Sequence, residues 1–295
     1  MQYRKMGGSE LEVSTVGFGC WEMGGTQYGE VDDQEEIGAV HRAIDLGVTL
    51  FDTAAIYGPG HSEEVLGRAL GARRREIVLV TKGGLIWDGL GRGSSRRDSS
   101  YWALTQGLEA SLHRLRTDYV DLFLIHWPLP TRYGGDFVQT WRTLEEFYRE
   151  GRARSIGVSN FQPNHLRRLH GETQIIPAIN QIEVHPYLTQ DDVRAFCVVH
   201  QIEVEAWSPL GQGSVLGDPV IRSVAERTGK TSAQVVLRWH IQRGDIVFPK
   251  SVTPDRIREN IDIFDFELSA TDVEDITVLN KNERTGPDPD KFDGR

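Results

Sequence analysis

The chain has 295 residues, 39% of them apolar and 26% charged, with a formal net charge of −10 and an isoelectric point near 5.4. That acidity argues against a nucleic-acid backbone or an anionic membrane as the main partner, and no run approaches the ~18 apolar residues of a membrane span. Two distant cysteines, Cys20 and Cys197, show no metal-ligand spacing and, with a start that lacks an apolar leader, suit a reducing cytoplasm.

In chain order, residues 2–13 alternate around Gly7-Gly8, which predicts a short β-hairpin. Eight apolar strand candidates follow, at residues 16–19, 50–52, 77–82, 120–126, 155–159, 178–184, 202–207 and 245–250. Most are apolar on both faces, as buried parallel strands are. Helical periods fill the intervals at residues 34–46, 62–70, 99–115, 137–149, 163–170, 189–199, 232–243 and 253–263. Ser62-Glu63-Glu64-Val65 reads as a capping box, and Gly47, Gly71 and Gly151 read as helix stops. Strand and helix alternate eight times without a long linker. The pattern predicts one α/β domain over residues 1–295, a (β/α)8 TIM barrel behind an N-terminal hairpin, with an open doubly wound sheet as the alternative.

Barrels carry their chemistry at the C-terminal ends of the strands. Asp52, Lys82 and His126 lie at three such ends, and Tyr57 on the loop after the first of them. Tyrosine alone is a poor acid at neutral pH, with a pKa near ~10. A lysine cation beside it is expected to lower that value, an aspartate to hold the lysine, and a histidine to orient a polar substrate group. The four suit proton donation to a carbonyl oxygen while a hydride from a nicotinamide reaches the carbon.

No dinucleotide fingerprint of the G-x-G-x-x-G type is present. The second half offers other means of holding a nucleotide. Ser159, Asn160 and Gln181 can bond a carboxamide, and Trp207 can stack on an aromatic ring. The small-residue loop with Ser208, Leu210 and Gln212 lets backbone N–H groups approach a pyrophosphate. Lys250, Ser251, Val252 and Thr253, with Arg256 and Asn260 beyond, resemble a phosphate site at a helix start.

The segments FDTAAIYG, VTKGG, LIHWP, GVSNF, NQIEVHPY, AWSPLGQG and FPKSVTPDRIREN occur in order across nearly the whole chain. Together they resemble the aldo-keto reductase superfamily. The first half is similar to its bacterial general-stress branch and the second to its microbial 2,5-diketo-gluconate reductase branch. The resemblance implies an NADP-dependent reduction of aldehydes and ketones, with Asp52, Tyr57, Lys82 and His126 as catalytic tetrad and Tyr57 as proton donor. It implies NADP(H) contacts from Ser159, Asn160, Gln181, Trp207, Lys250, Ser251, Arg256 and Asn260, and an adenine contact from Glu259. An NADP(H)-sensing regulatory protein on the same barrel is the alternative.

Trp21, Trp87 and Trp127 are the expected pocket walls for a small carbonyl substrate. The polar end of the chain is expected to leave the mouth open. The acidic surface suits a monomer.

Overall fold

The computed structural model describes residues 1–25, 31–87, 95–131, 135–249 and 253–292, with the backbone alone at 86–87 and 95–97. β1 (Tyr3–Lys5) and β2 (Glu12–Ser14) form the expected hairpin, with Tyr3 opposite Ser14. Met6, Leu11 and Val13 of this hairpin join one apolar cluster with Leu50, Val78, Leu122, Ile179 and Ile246, so the hairpin closes the end of the barrel where those strands begin.

The barrel strands are β3 (Phe18–Gly19), β4 (Leu50–Asp52), β5 (Val78–Gly83), then β8 (Val120–Ile125), β9 (Ala153–Ser159), β10 (Ile179–Glu183), β11 (Glu203–Trp207) and β12 (Ile246–Val247). They pair in parallel and in chain order. A parallel bridge between Val16 and Val247 joins the two ends of the sheet, with Gly17 N–H donating to Val247 O at 2.8 Å and Val247 N–H to Thr15 O at 3.0 Å. The ring is closed, and every residue of β8 is buried, as a strand covered on both faces must be.

Helices α1 (Asp33–Asp45), α2 (His61–Leu70), α3 (Tyr101–Leu115), α4 (Phe137–Arg149), α5 (Pro163–Glu172), α6 (Asp191–Val199), α8 (Ser232–Arg243) and α9 (Pro254–Ile261) match the eight expected helices to within a few residues. α7 (Pro219–Thr228) and α10 (Ala270–Thr277) stand outside the eightfold alternation. Their caps are in the sequence: Asp218 accepts from Val220 N–H at 2.9 Å, and Ser269 and Asp272 form a capping box. A second hairpin pairs β6 (Leu85–Trp87) with β7 (Ser95–Arg97) after β5.

Ser62 corrects its expected role. The N-cap of α2 is Gly60 in the left-handed region, and Ser62 lies inside the helix. Its hydroxyl donates to Cys20 O at 2.7 Å and meets Thr53 Oγ1 at 2.9 Å. A buried hydroxyl needs such partners, and these two tie α2 to the ends of β3 and β4, next to the site.

Candidate active site

Asp52 is the last residue of β4, Lys82 the fifth of β5, and His126 follows β8 directly. Parallel pairing sets Asp52 opposite Val80, and Lys82 lies two residues further on, so both side chains leave the same face. Lys82 Nζ donates to Asp52 Oδ1 and Oδ2 at 2.7 and 2.6 Å, to Thr53 O at 3.1 Å and to Tyr57 Oη at 3.2 Å. The lysine side chain has no exposed surface and Asp52 only 8%. Tyr57 is half-buried, its ring edge-on to His126 with centroids 6.0 Å apart.

Backbone contact holds Tyr57 in place. A Cβ on Gly58, whose φ is +56°, would lie 1.9 Å from Gly24 O, and one on Gly24 would lie 2.5 Å from Gly58 N. The turn after β3 therefore presses directly on the turn that carries the tyrosine, and only glycine fits at either side.

Burial disfavours both the Lys82 ammonium and the Tyr57 phenolate. For Lys82, Asp52 and Tyr57 outweigh the burial, and its pKa lies above the ordinary lysine value. For Tyr57 the outcome corrects the sequence expectation. Burial pushes the phenol up, the Lys82 cation pulls it down, Asp52 opposes the cation, and the net direction is upward. Tyr57 is thus a protonated phenol with its conjugate base supported by a fixed cation.

The second half of the ring builds a polar wall beside this chain. Ser159, Gln181 and Glu205 stand in register on β9, β10 and β11, so they share a face. Ser159 Oγ donates to Gln181 O at 2.8 Å, and Asn160 Nδ2 to His126 O at 3.0 Å. Trp207 Nε1 donates to Asn160 Oδ1 at 2.9 Å, which fixes the half-buried indole. Gln181 Nε2 donates to Asp52 Oδ1 and to Glu205 Oε2, each at 3.0 Å. With both amide hydrogens committed to carboxyl groups, Gln181 offers its oxygen. An amide oxygen, a neighbouring hydroxyl and a fixed aromatic ring are a donor and acceptor set that fits a nicotinamide carboxamide.

The loop after β11 has left-handed residues at Ser208, Gly211, Gln212 and Gly213, a backbone suited to turning N–H groups toward an anion. Gln212 is exposed and Leu210 half-buried. Fully buried His240 pins this loop from behind, with Nε2 3.1 Å from Pro209 O and Nδ1 2.9 Å from Asp245 Oδ2. Lys250, Ser251, Val252 and the side chain of Trp87 lie outside the described residues. Thr253 caps α9, Arg256 is exposed on its first turn and Asn260 is buried. Glu259 accepts from Thr231 Oγ1 at 2.8 Å.

Trp21 faces Tyr57 with centroids 6.5 Å apart, and Trp127 is buried beside Phe292 at 4.2 Å. That contact overturns the expectation of an open mouth. Residues 283–292 run over the strand ends. Glu183 Oε1 accepts from Thr285 N–H at 2.6 Å and from the Thr285 hydroxyl, and Oε2 accepts from Gly286 N–H at 3.2 Å. A Cβ on Gly286 would meet Trp207 Cη2 at 2.5 Å. His165 Nε2 lies 3.2 Å from Asp290. In sequence this end reads as a polar tail; its signals are Gly286 and Phe292 in an otherwise polar stretch.

The family model "Aldo/keto reductase family" matches residues 15–281. An "Aldo-keto reductase" of Mycolicibacterium smegmatis is 46% identical over 283 residues, covering 95% of this chain and 94% of that protein. "Methylglyoxal reductase DkgA" of Escherichia coli K12 is 40% identical over 284 residues, covering 95% and 94%. Among solved structures, a mutant of Gox0644 in complex with NADPH matches with a TM-score of 0.82 at 39% identity, covering 96% of this chain and 95% of that one. These matches run through both halves of the sequence.

Proposed function

Since the chain belongs to the aldo/keto reductase family and is an NADP-dependent oxidoreductase that reduces carbonyl groups, we propose that Tyr57 is its proton donor and Asp52, Lys82 and His126 its supporting residues. The observation that carries this assignment is the continuous chain from Asp52 through buried Lys82 to the Tyr57 hydroxyl. NADPH, when bound, supplies the hydride to the carbonyl carbon. Tyr57 Oη gives its proton to the carbonyl oxygen and is left as a phenolate, which Lys82 stabilises and solvent reprotonates. Asp52 keeps Lys82 charged and aimed, and His126, edge-on to the ring, orients the carbonyl.

Ser159, Asn160, Gln181 and Trp207 would hold the nicotinamide, and the loop with Ser208, Leu210 and Gln212 the pyrophosphate. Lys250, Ser251, Val252, Thr253, Arg256 and Asn260 would hold the 2′-phosphate end, with Glu259 toward the adenine. The substrate we infer is a small 2-oxoaldehyde of the methylglyoxal type. Support comes from the similarity to DkgA and from a mouth narrowed by Trp21, Trp127 and residues 283–292. We further infer one working unit over residues 1–295, a monomer in the cytoplasm, with no nucleic-acid partner.

The test is NADPH consumption with methylglyoxal and a panel of aldehydes and ketones, Tyr57→Phe beside the wild type. We expect turnover in the wild type and a kcat about a hundred- to ten-thousand-fold lower in the variant, with NADPH binding retained. A Tyr57→Phe enzyme that keeps wild-type kcat would remove the assignment.

A further inference from the structure

Behind the Asp52–Lys82–Tyr57 chain lies a second carboxyl group that the reaction does not use. Glu205 is the middle residue of β11 and has no exposed surface. Its Oε2 accepts from Gln181 Nε2 at 3.0 Å, and its Oε1 is buried with no hydrogen-bond partner among the described residues. The other hydrogen of the same Gln181 nitrogen goes to Asp52 Oδ1 at 3.0 Å. One neutral amide therefore bridges two carboxyl groups inside the ring.

The two are not equivalent. Among the described residues, Asp52 has a cation on both oxygens and Glu205 has none. Among the described residues, the charged groups that face Glu205 are Asp52 of β4, Lys82 of β5 and Glu203 of its own strand, while Gln181 of β10 is neutral. Lys82 already gives its hydrogens to Asp52, Thr53 O and Tyr57. An ionised carboxylate in a dry interior, without a cation of its own and near a second anion, is far costlier than a carboxylic acid there.

We propose that Glu205 is a positioning residue of the carbonyl-reduction site: an uncharged carboxylic acid that orients the Gln181 amide and keeps a second negative charge away from the Asp52–Lys82–Tyr57 chain. The proposal rests on the reading of Tyr57 as proton donor. By accepting from Gln181, Glu205 leaves the amide oxygen as the group turned to the cofactor. By staying neutral it leaves Lys82 committed to Asp52 and Tyr57. Burial first, and Asp52 second, push the Glu205 carboxyl up to about 8. Above that pH a second anion stands one amide away from Asp52, competes for Lys82, and makes Tyr57 a weaker acid.

The sign for stability follows from linkage. The folded state keeps the Glu205 proton between the ordinary glutamate value of about 4.3 and about 8. An unfolded chain has already lost the proton in that range, so folding is progressively disfavoured as pH rises through it. Replacement by Gln removes the ionisation and the loss with it.

The experiment compares wild type with Glu205→Gln in two measurements. The first is the pH dependence of NADPH-driven reduction. In the wild type, kcat should fall about tenfold between pH 6.5 and pH 9, as expected for a group with a pKa of about 8, and this fall should be absent in Glu205→Gln. The second is thermal unfolding of the ligand-free proteins. The Tm of Glu205→Gln should gain on the wild type as pH rises from 5 to 8. Identical pH profiles in the two proteins, or a Tm difference that does not change with pH, would overturn the proposal. A Tyr57→Phe enzyme with wild-type kcat would count against Tyr57 as donor, while the unfolding comparison would still decide whether Glu205 carries its proton.

Discussion

A lysine without exposed surface is tolerable only because every one of its hydrogens has an acceptor. Asp52→Asn keeps the shape and removes the charge. It should cost about 3–5 kcal/mol of unfolding free energy, the usual penalty for stranding one member of a buried ion pair, and it should lower kcat as Lys82 loses its aim. Denaturant titration and steady-state kinetics check the two effects. Arg256 offers a contrasting case. It is exposed on the first turn of α9 and acts, in our reading, only on the 2′-phosphate. Arg256→Ala should raise KM for NADPH and leave KM for NADH and the Tm nearly unchanged. Asp52, Tyr57, Lys82 and His126 are legible in the sequence because each closes or follows an apolar run. Glu205 is not. It reads as one polar position in an alternating strand, and only ring closure brings its partner Gln181 against Asp52. The direction of the Tyr57 shift escapes the sequence for a related reason: the lysine is visible there, whereas the burial that outweighs it is a property of the folded mouth.

At the scale of elements, the boundaries of α4 and α8 agree with the sequence residue for residue, because a polar cap and a glycine or charged stop frame each apolar period. The segment over residues 283–292 has no period and no regular structure, so nothing local announces it. It is held by what it reaches, Glu183 and Trp127. Burial raises the Glu183 carboxyl, but hydrogen bonds from His185, Thr285 and Gly286 outweigh it and bring the pKa below the ordinary value. A depressed carboxyl contributes its stabilisation above the ordinary glutamate value of about 4.3 and loses it as pH falls through the folded value. The amide protons of Thr285 and Gly286, which bond the Glu183 carboxylate, should therefore be protected from exchange at pH 7 and become unprotected on acidification below pH 4, before the barrel strands do. Glu183→Ala should give the same loss of protection at pH 7. Protection unchanged in that variant would mean that the segment is held elsewhere.

At the scale of the whole molecule, the eightfold alternation predicts the ring, and the ring alone explains why residues from distant parts of the sequence meet at one mouth. The seam where it closes is tightly built. A Cβ on Gly17 would sit 2.4 Å from the ring of buried Phe248 and 3.2 Å from Leu50 O. Gly17→Ala must displace that ring or open the seam, and overpacking of this kind costs about 1–3 kcal/mol. A lowered Tm, with kcat affected less than by Asp52→Asn, is the expected result. The same seam joins Val16 to Val247, near opposite ends of the sequence. Ribosomes make proteins from the N-terminus at about 5–20 residues per second, so for most of its synthesis the chain carries β3 as an unpartnered edge. The early β/α units can collapse on one another as they emerge, but the ring cannot close until β12 has left the exit tunnel. A nascent chain of this protein thus passes through a long open-sheet stage in which a holding chaperone has something to shield.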